Sequence, residues 1–439
     1  MNSSKKILAV VFAVFVTQFA VALPSWGGQQ LPIIGWGTFS EKNASAERYR
    51  EAKEAGFTHL TQWCTSSAEA KRLLADAEKA GIKLIIGMSA HGVKGMTDNA
   101  EAFTEAVKDS PALDSYYITD EPNVSASNAL RECVMRYAVL DPAHPAYVNL
   151  FGAHCDRWTR NDEARQRKLT GCATHDEYIR KLYAAVPLKM ISFDTYPVLS
   201  FRRLKDGDFR LHGQRVFLKE RWYETLETTS ALARELDIPM YAFALVAAHR
   251  HYPGQDYPVP TMEHLRLQQY SNLAYGAQAL QCFKYAMERA NGFNNAPIVP
   301  CGRRSPVYER IREMNKEIQA RAYVFVGCRV QGVWHTGIDI PLGTKQFKNE
   351  YLPPFVTSFA MPAEDTAVVS WLKNGGRDYL MIVNRNPNDD ISFEATFAEG
   401  TEFVRRDGTR AKVSLYAGYF WLDPGDAAIF AAPVVSLSK

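Results

Sequence analysis

The strongest constraint on the fold is an alternation of apolar, strand-like segments with amphipathic helical segments, repeated eight times between residues 31 and 285. The predicted strands cover residues 31–37, 58–63, 83–88, 115–119, 146–151, 189–194, 239–246 and 279–285. Eight such units fit a closed (β/α)8 TIM barrel better than an open doubly wound sheet. No glycine-rich phosphate loop follows the first strand, which also argues against a nucleotide-binding open sheet.

The pattern changes near Val324 to short alternating strands separated by turn residues such as Asn374-Gly375-Gly376. A chain of 439 residues is long enough for one barrel and a smaller second domain. We therefore predict a barrel over residues 23–323 and a compact antiparallel β-sandwich over residues 324–439. Two polar stretches, 153–175 and 201–213, are predicted to be long loops that shape specificity.

The first residues have the pattern of a secretory signal peptide. Lys5 and Lys6 precede an apolar run over residues 7–21, and small residues at 20–22 provide a cleavage site. That run is short for a membrane span, and no later apolar run is long enough to cross a bilayer. We expect residues 1–22 to be removed and the mature protein to be secreted or periplasmic.

The seven cysteines are scattered and show no Cys-x-x-Cys spacing, so the sequence does not support a metal site. Export would permit disulfides, and the first pair to test is Cys155 with Cys172, which flank a polar insertion. We expect no cofactor. The odd number leaves at least one thiol unpaired.

Charge and composition narrow the possible partners. A net charge of +3, without long runs of one sign, gives no argument for nucleic acid or an anionic membrane surface. The 12% aromatic content includes 8 Trp and 21 Tyr, and such rings form the flat platforms of sugar-binding clefts as well as ordinary core. The oligomeric state is left open.

The fourth predicted strand ends abruptly in two adjacent carboxylates and a proline, Asp120-Glu121-Pro122. In a parallel barrel the carboxyl ends of the strands form the active-site face, so both acids would point into one cleft. The alternative is that these residues only open the next helix, where acids are favoured by the helix dipole.

Other polar and aromatic side chains fall at or just beyond the remaining strand ends. They are Trp36, Trp63, His91, Asp194, Tyr196, His249, His251, Asp256, Lys284 and Tyr285. Several carboxylates and aromatic rings around one cleft suit glycoside hydrolysis, in which one carboxylic acid protonates the leaving oxygen and a second carboxylate attacks or activates water. Trp36, Trp63, Tyr196 and Lys284 are candidate sugar contacts, although packing in the barrel is an alternative for each tryptophan. The i, i+2 spacing of His249 and His251 favours an ordinary loop over a metal site.

The sequence resembles the (β/α)8 retaining glycoside hydrolases of the clan that contains β-galactosidases and cellulases. Those enzymes carry their acid/base glutamate at the end of strand four, usually as Asn-Glu-Pro, and this chain has Asp-Glu-Pro at 120–122. The run 274–285 is similar to their entry into strand eight, and the segment 422–426 is similar to part of their accessory domain. The resemblance implies Glu121 as the acid, and it places Asp120 where the clan has an asparagine that contacts the sugar 2-hydroxyl.

The chain departs from that clan at strand seven, where the clan has its nucleophilic glutamate. The segment 241–249 contains no carboxylate. Asp194 is the best replacement, and the sequence interpretation favours a water-mediated, inverting arrangement, with a purely structural role for Asp194 as the alternative. Two functions are favoured: a glycoside hydrolase that uses Glu121 and Asp194, and a noncatalytic carbohydrate-binding protein on a degenerate barrel. An isomerase or lyase that uses the same strand ends is less favoured, because nothing in the sequence marks a metal or a phosphate site.

Overall fold

A computed structural model describes residues 30–40, 42–88, 92–153, 163–201, 215–250, 255–288, 292–414 and 418–434. The predicted signal peptide, most of the predicted 201–213 loop, Cys155, His91 and His251 lie outside these ranges, so the predictions about them stay predictions. Cys172 is buried, two residues beyond a helix that ends at Thr170.

The amino-terminal part of the chain forms a closed barrel. In chain order its strands and those of its loops are β1 (Ile33–Trp36), β2 (His59–Cys64), β3 (Lys83–Met88), β4 (Leu113–Asp120), β5 (Ala146–Phe151), β6 (Ile191–Asp194), β7 (Val198–Phe201), β8 (Val216–Leu218), β9 (Met240–Leu245), β10 (Ala248–Arg250), β11 (Gln255–Tyr257), β12 (Ala279–Phe283) and β13 (Phe293–Asn294). The barrel order is β1-β2-β3-β4-β5-β6-β9-β12, closed by pairing of β12 with β1, and its neighbouring strands are parallel. The predicted TIM barrel is therefore confirmed.

Helices cover the outside of the barrel. They are α1 (Ala46–Glu54), α2 (Ser67–Ala80), α3 (Gly92–Asp98), α4 (Ala100–Val107), α5 (Ser127–Leu140), α6 (Glu163–Thr170), α7 (His175–Ala185), α8 (Trp222–Leu236), α9 (Met262–Ala274), α10 (Pro306–Ala320) and α11 (Ala322–Phe325), with 3-10 turns at Val124–Ala126, Pro300–Gly302 and Asn349–Tyr351. Local chemistry sets their ends: the Ser66 hydroxyl caps the start of α2, and Gly81 ends it with a φ of 66°. None of the described helices is both long and apolar enough to span a bilayer.

Helix α6 lies inside the stretch 153–175 that the sequence predicts to be a long loop. It is highly charged, and only Gln166 and Thr170 are buried, so it carries almost no apolar stripe from which a helix could be predicted. Arg167 pairs with Glu163 one turn earlier, which contributes local stability.

A small antiparallel sheet, in the order β13-β10-β11-β7-β8, forms from loops that follow the sixth, seventh and eighth barrel strands. Its strands are only two to four residues long. Because these loops leave the carboxyl ends of the barrel strands, the sheet forms one side of the barrel mouth.

The carboxyl-terminal strands form a sandwich of two antiparallel sheets. They are β14 (Arg329–His335), β15 (Val356–Ala360), β16 (Ala367–Asn374), β17 (Arg377–Asn384), β18 (Ile391–Phe397), β19 (Glu402–Val404), β20 (Arg410–Lys412), β21 (Gly418–Leu422) and β22 (Ala427–Ala431). One sheet has the order β14-β16-β17-β22-β19-β20 and the other β15-β18-β21. Their facing side chains, such as Val369, Phe393 and Phe430, share one core. The predicted sandwich is confirmed.

The six-stranded sheet rests on the barrel through buried contacts. Val368 and Leu372 of β16 belong to the core of the barrel, whereas Val369 points into the sandwich. The Ser370 hydroxyl donates to the carbonyl of Ala274 at 2.7 Å, and the buried Arg321 donates to the carbonyl of Arg405 at 3.0 Å. Helix α9 is therefore buried along its length between barrel and sandwich.

Candidate active site

Strand β4 delivers Asp120 and Glu121 to the barrel mouth. The pairing of β4 with β5 is irregular between Tyr117 and Thr119, and such a bulge changes the direction in which the following side chains point. Glu121 then adopts a φ of 44°, in the left-handed region that non-glycine residues seldom occupy. Its amide donates to the carbonyl of Asn149 at 2.8 Å, which helps hold it in this conformation. Strained residues of this kind cluster at functional sites.

The next residues fix the chain beyond Glu121. The hydroxyl of the buried Tyr178 donates to the carbonyl of Pro122 at 2.7 Å. The side chain of Asn123 donates to the carbonyl of Leu169 at 2.8 Å and accepts from the amide of Ser125. The acids are thus attached to a rigid segment at the strand end, while the helix-opening role that the sequence left open is taken by Asn123.

Glu121 meets Asp194, which ends β6, and their carboxyl groups are in hydrogen-bonding contact. Burial raises the pKa of Glu121 well above its usual range, and the negative charges of Asp194 and Asp120 raise it further. Burial and the charge of Asp120 raise the pKa of Asp194 less, because hydrogen bonds from Glu121 and Tyr196 and the charge of Lys219 favour its ionised form. The pair is therefore arranged to hold one proton on Glu121 and a charge on Asp194.

The buried side chain of Asn149 bridges the carboxyl groups of Asp120 and Asp194. Its side-chain amide lies 3.0 Å from Asp120 Oδ1 and 3.4 Å from Asp194 Oδ1. Its own oxygen accepts from the Ser192 hydroxyl at 2.8 Å, and Gln281 Nε2 donates to that hydroxyl at 2.9 Å. Asn149 is only 2% exposed, so the rotamer of its amide is fixed by this buried network.

Asp120 is exposed at the same mouth. The carboxyl group itself is partly buried, and this burial raises its pKa. Hydrogen bonds from Asn149 and Tyr117 oppose that change. Its charge acts on both neighbouring acids, because it contributes to the raised pKa of Glu121 and of Asp194. The pKa values of Asp120, Glu121 and Asp194 are therefore set by one shared cluster of carboxyl groups.

Aromatic rings line the mouth around these acids. The half-buried Trp36 packs 5.3 Å from Phe283 and 5.9 Å from Phe243, measured between ring centroids. Tyr196 stacks on Phe283 at 5.5 Å, with 17° between the ring planes. Three of the predicted site residues, Asp194, Tyr196 and Trp36, are thus brought into one neighbourhood with Glu121.

Trp63 and Lys284, two further predicted site residues, each lie near an aromatic ring. The half-buried Trp63 packs edge-on against Tyr117, with ring centroids 4.1 Å apart. Lys284 places its ammonium 5.9 Å from the ring of Phe293, and burial lowers its pKa against the opposing charge of Glu288. The contacts of these two residues are thus with rings near the barrel mouth, Tyr117 and Phe293.

Lys219, which follows β8, is a site residue that the sequence analysis missed. Its charge acts on Asp194, and its ammonium lies 5.2 Å from the ring of Tyr257. Lys219 follows the three-residue strand β8, which is too short to show a hydrophobic period, so the sequence carries no signal of this position. Asn149 could have been found, because it is a polar residue within the buried strand Ala-Tyr-Val-Asn-Leu-Phe.

His249 is packed between aromatic rings. Its ring centroid lies 4.3 Å from Tyr257 and 4.5 Å from Phe293, and burial lowers its pKa to about 4. In the described part of the chain no group of three or more potential ligand side chains is placed to hold a metal ion.

The seventh barrel strand, β9, contributes no carboxylate. All of its residues from Met240 to Leu245 are buried and apolar or aromatic. The acid next to Glu121 is instead Asp194, on the sixth strand. A cavity of about 530 Å³ lies elsewhere, at the amino ends of the barrel strands against β14, where it is lined by residues such as Pro239, Gln278 and Val330.

No model of a known protein family matches the chain, and no curated protein matches its sequence. Solved structures do match its fold. A protein described as a glycoside hydrolase has a TM-score of 0.57 at 10% identity, with 93% of each chain covered. A glycoside hydrolase family 5 protein from Bacteroides vulgatus has a TM-score of 0.55 at 10% identity, covering 92% of this chain and 89% of that one.

A third match is a family GH27 β-L-arabinopyranosidase from Geobacillus stearothermophilus, with a TM-score of 0.50 at 7% identity over 94% of this chain and 98% of that one. The matches extend over the barrel and the following sheets. At the level of the fold, they confirm the resemblance to barrel glycoside hydrolases with a β-sheet domain.

Proposed function

We propose that this protein is a glycoside hydrolase in which Glu121 is the general acid and Asp194 the partner carboxylate. The observation that carries the proposal is the contact between the two carboxyl groups at the carboxyl end of the barrel. Their environments push the two pKa values apart, which is the arrangement that assigns one carboxyl group as proton donor and the other as anion. The fold of the matched structures supports the same reaction class, although fold alone does not establish function.

The proposed reaction has two steps, and both Glu121 and Asp194 take part in each of them. Glu121 transfers its proton to the glycosidic oxygen as the bond to the anomeric carbon breaks, and the carboxylate of Asp194 forms a bond to that carbon. Water then attacks the glycosyl ester, gives its proton to Glu121, and releases Asp194. Asn149 and Tyr196 orient Asp194, and Lys219 helps to keep it ionised.

The contact supports a retaining course in preference to the inverting arrangement that the sequence interpretation favoured. Inverting enzymes leave room for a water between carboxyl groups about 6.5–9.5 Å apart, whereas retaining enzymes hold them about 5–5.5 Å apart. Carboxyl groups close enough to share a hydrogen bond lie nearer to the second distance.

The test is hydrolysis of aryl glycosides and polysaccharides by the mature protein, with the anomeric form of the first product followed by NMR. We expect a product with the anomeric configuration of the substrate. Product of the opposite configuration would contradict the retaining course. Binding of oligosaccharide without any product across the panel would favour the noncatalytic alternative, which the missing carboxylate on β9 supports.

Replacing Asn149 by alanine should shift the pH dependence of the reaction. The change removes a hydrogen bond that favours ionised Asp194, so the pKa of Asp194 should rise. Because turnover needs ionised Asp194, the acid limb of the profile of kcat/KM should move to higher pH, while activity at the optimum falls about tenfold. The basic limb reports deprotonation of Glu121 and should move less.

The pH profile is measured with thermal unfolding as a control for folding. A matched control is Asn349→Ala, in the sandwich, where the side-chain amide donates to the carbonyl of Phe359 at 3.2 Å. An acid limb that stays in place in a folded Asn149→Ala protein would contradict the role given to this residue.

The remaining proposals concern location and substrate. A carbohydrate is the proposed substrate because of the acids and aromatic rings at the barrel mouth. Residues 1–22 are proposed to direct export, which would bring the protein to extracellular or periplasmic glycans. Edman or mass-spectrometric identification of the mature amino terminus tests this directly.

A further inference from the structure

Two aromatic side chains on the sandwich are exposed side by side. Tyr419 is 61% and Trp421 70% exposed, and they occupy alternate positions of the edge strand β21. Their ring centroids are 6.0 Å apart, with 38° between the ring planes. All other strongly exposed large hydrophobic side chains among the described residues are aliphatic, so this is the one place there where aromatic rings are presented to solvent in such a way.

Strand alternation shows that the rings face away from the barrel. Phe420 and Leu422 of the same strand point inward and pack in the core between the two sandwich sheets. The six-stranded sheet lies between that core and the barrel, since Val368 and Leu372 of β16 pack into the barrel core. Tyr419 and Trp421 therefore stand on the outer face of the outer sheet.

Polar side chains surround the rings on the same face. Glu394 is exposed directly opposite Tyr419 in the pairing of β18 with β21, whereas Ser392, opposite Trp421, is buried. Further along the face, the hydroxyl groups of Thr396 and Ser358 lie 2.6 Å apart. The surface thus combines flat apolar rings with an exposed carboxylate and hydroxyl groups.

The exposed area is small for a protein partner. A buried aromatic side chain covers about 150–250 Å², so two rings at these exposures offer roughly 200–350 Å². A stable protein interface takes about 800 Å² from each partner. A sugar chain needs less area, because its rings stack one at a time on aromatic faces while its hydroxyl groups bond to carboxylate and hydroxyl oxygens.

We propose that Tyr419, Trp421 and Glu394 form a second glycan-binding surface, separate from the barrel cleft, that holds a polysaccharide chain. Successive sugar rings would stack on the two aromatic rings, whose inclination suits a chain with rotated neighbouring sugars, and Glu394 would accept hydrogen bonds from hydroxyl groups. The choice of a glycan rests on the proposed function. The substrate is then a polymer, which the sandwich holds while the barrel cleaves it.

The experiment measures binding of the full-length mature protein to insoluble cellulose, xylan, chitin and β-1,3-glucan by depletion from solution. The test variant carries Tyr419→Ala and Trp421→Ala together. The control is Ile338→Ala, which removes another strongly exposed hydrophobic side chain, 80% exposed, from the same domain. Circular dichroism and thermal unfolding establish that each variant folds.

We expect the double variant to bind the best-retained polymer about tenfold more weakly, while the control binds as the unaltered protein does. Hydrolysis of soluble aryl glycosides should not change in the double variant. Equal retention of the double variant on every polymer would overturn the proposal, and so would a change in its oligomeric state in sedimentation, because that would make the surface a contact between protein copies.

Binding and turnover are read separately, so the two proposals fail separately. Polymer binding that depends on Tyr419 and Trp421 without any hydrolysis would support this surface and contradict the hydrolase. Hydrolysis of small glycosides with no polymer retained by the unaltered protein would support the hydrolase and overturn this surface.

Discussion

Replacing Glu121 by glutamine is expected to lower kcat/KM by about 10²–10⁴-fold, the usual contribution of a positioned general acid. Glutamine keeps the size of the side chain and an acceptor oxygen near Asp194 but has no acidic proton to give the leaving oxygen. The fold should be unaffected, since the strained backbone at this position is held by the hydrogen bond to Asn149 and by Pro122 and its contacts. Initial rates on a natural glycoside, with thermal unfolding of both proteins, provide the measurement.

The size of the loss should depend on the leaving group. A glycoside whose departing phenol is strongly acidic needs no proton and should react at a rate much closer to that of the unaltered protein. An alkyl or sugar leaving group should show the full loss. Glu309→Gln, an exposed residue of α10, is the matched control and should change neither rate. An equal loss with all leaving groups would assign Glu121 to another role.

The same variant should remove the basic limb of the pH profile. Burial and the charges of Asp194 and Asp120 raise the pKa of Glu121, so its proton is lost only at a pH well above the usual range of a carboxyl group. Activity of the unaltered protein should therefore persist through neutral pH and fall on the alkaline side. The glutamine variant has no proton to lose there, and its remaining activity should be flat across that limb.

The fold could be predicted largely from the sequence because both domains carry regular hydrophobic periods. The barrel strands are buried and mostly apolar, and the helices between them begin and end at residues such as Ser66 and Gly81 that cap helices by local chemistry. In the sandwich strands buried and more exposed side chains tend to alternate, and glycine-containing turns separate several of these strands. The small sheet over the barrel mouth could not be predicted, because strands as short as Phe293–Asn294 have no detectable period.

The candidate site could be predicted only in part. The sequence indicates Glu121 because two carboxylates follow a buried strand, and it indicates Asp194 because this residue ends another strand. Their mutual contact depends on the bulge in β4 and on the positive φ of Glu121, which no residue type at these positions indicates. Lys219 follows the short strand β8, and its place near Asp194 could be found only from the folded chain.

Replacing Asp194 by asparagine should cause the largest loss, on the order of 10⁴-fold or more in kcat, as expected when the nucleophile of a covalent mechanism is removed. The amide cannot form the glycosyl ester. The substitution also removes a negative charge beside Glu121, so the pKa of Glu121 should fall. The alkaline limb of any remaining activity should therefore move to lower pH.

The matched comparison for this loss is Asp120→Asn, which removes the same charge from the same cleft. Asp120 also raises the pKa of Glu121, so both variants should move the alkaline limb in the same direction. Only the loss of Asp194 should abolish turnover, because the proposed covalent bond to the sugar forms at Asp194, whereas Asp120 accepts a hydrogen bond from Asn149. If the two variants lose activity equally, the effect of Asp194 is electrostatic, and the nucleophile has to be sought elsewhere.

A small nucleophile added to Asp194→Ala separates attack from acid catalysis. Azide can enter the space left by the carboxylate and attack the anomeric carbon, so activity on an aryl glycoside should partly return and a glycosyl azide of inverted configuration should form. Azide should not restore the hydrolysis of a sugar-leaving substrate by Glu121→Gln, since that variant lacks the proton. Azide rescue of Asp194→Ala, combined with retention of configuration by the unaltered protein, would establish Asp194 as the group that bonds to the sugar, on strand six of a barrel whose strand seven carries no acid.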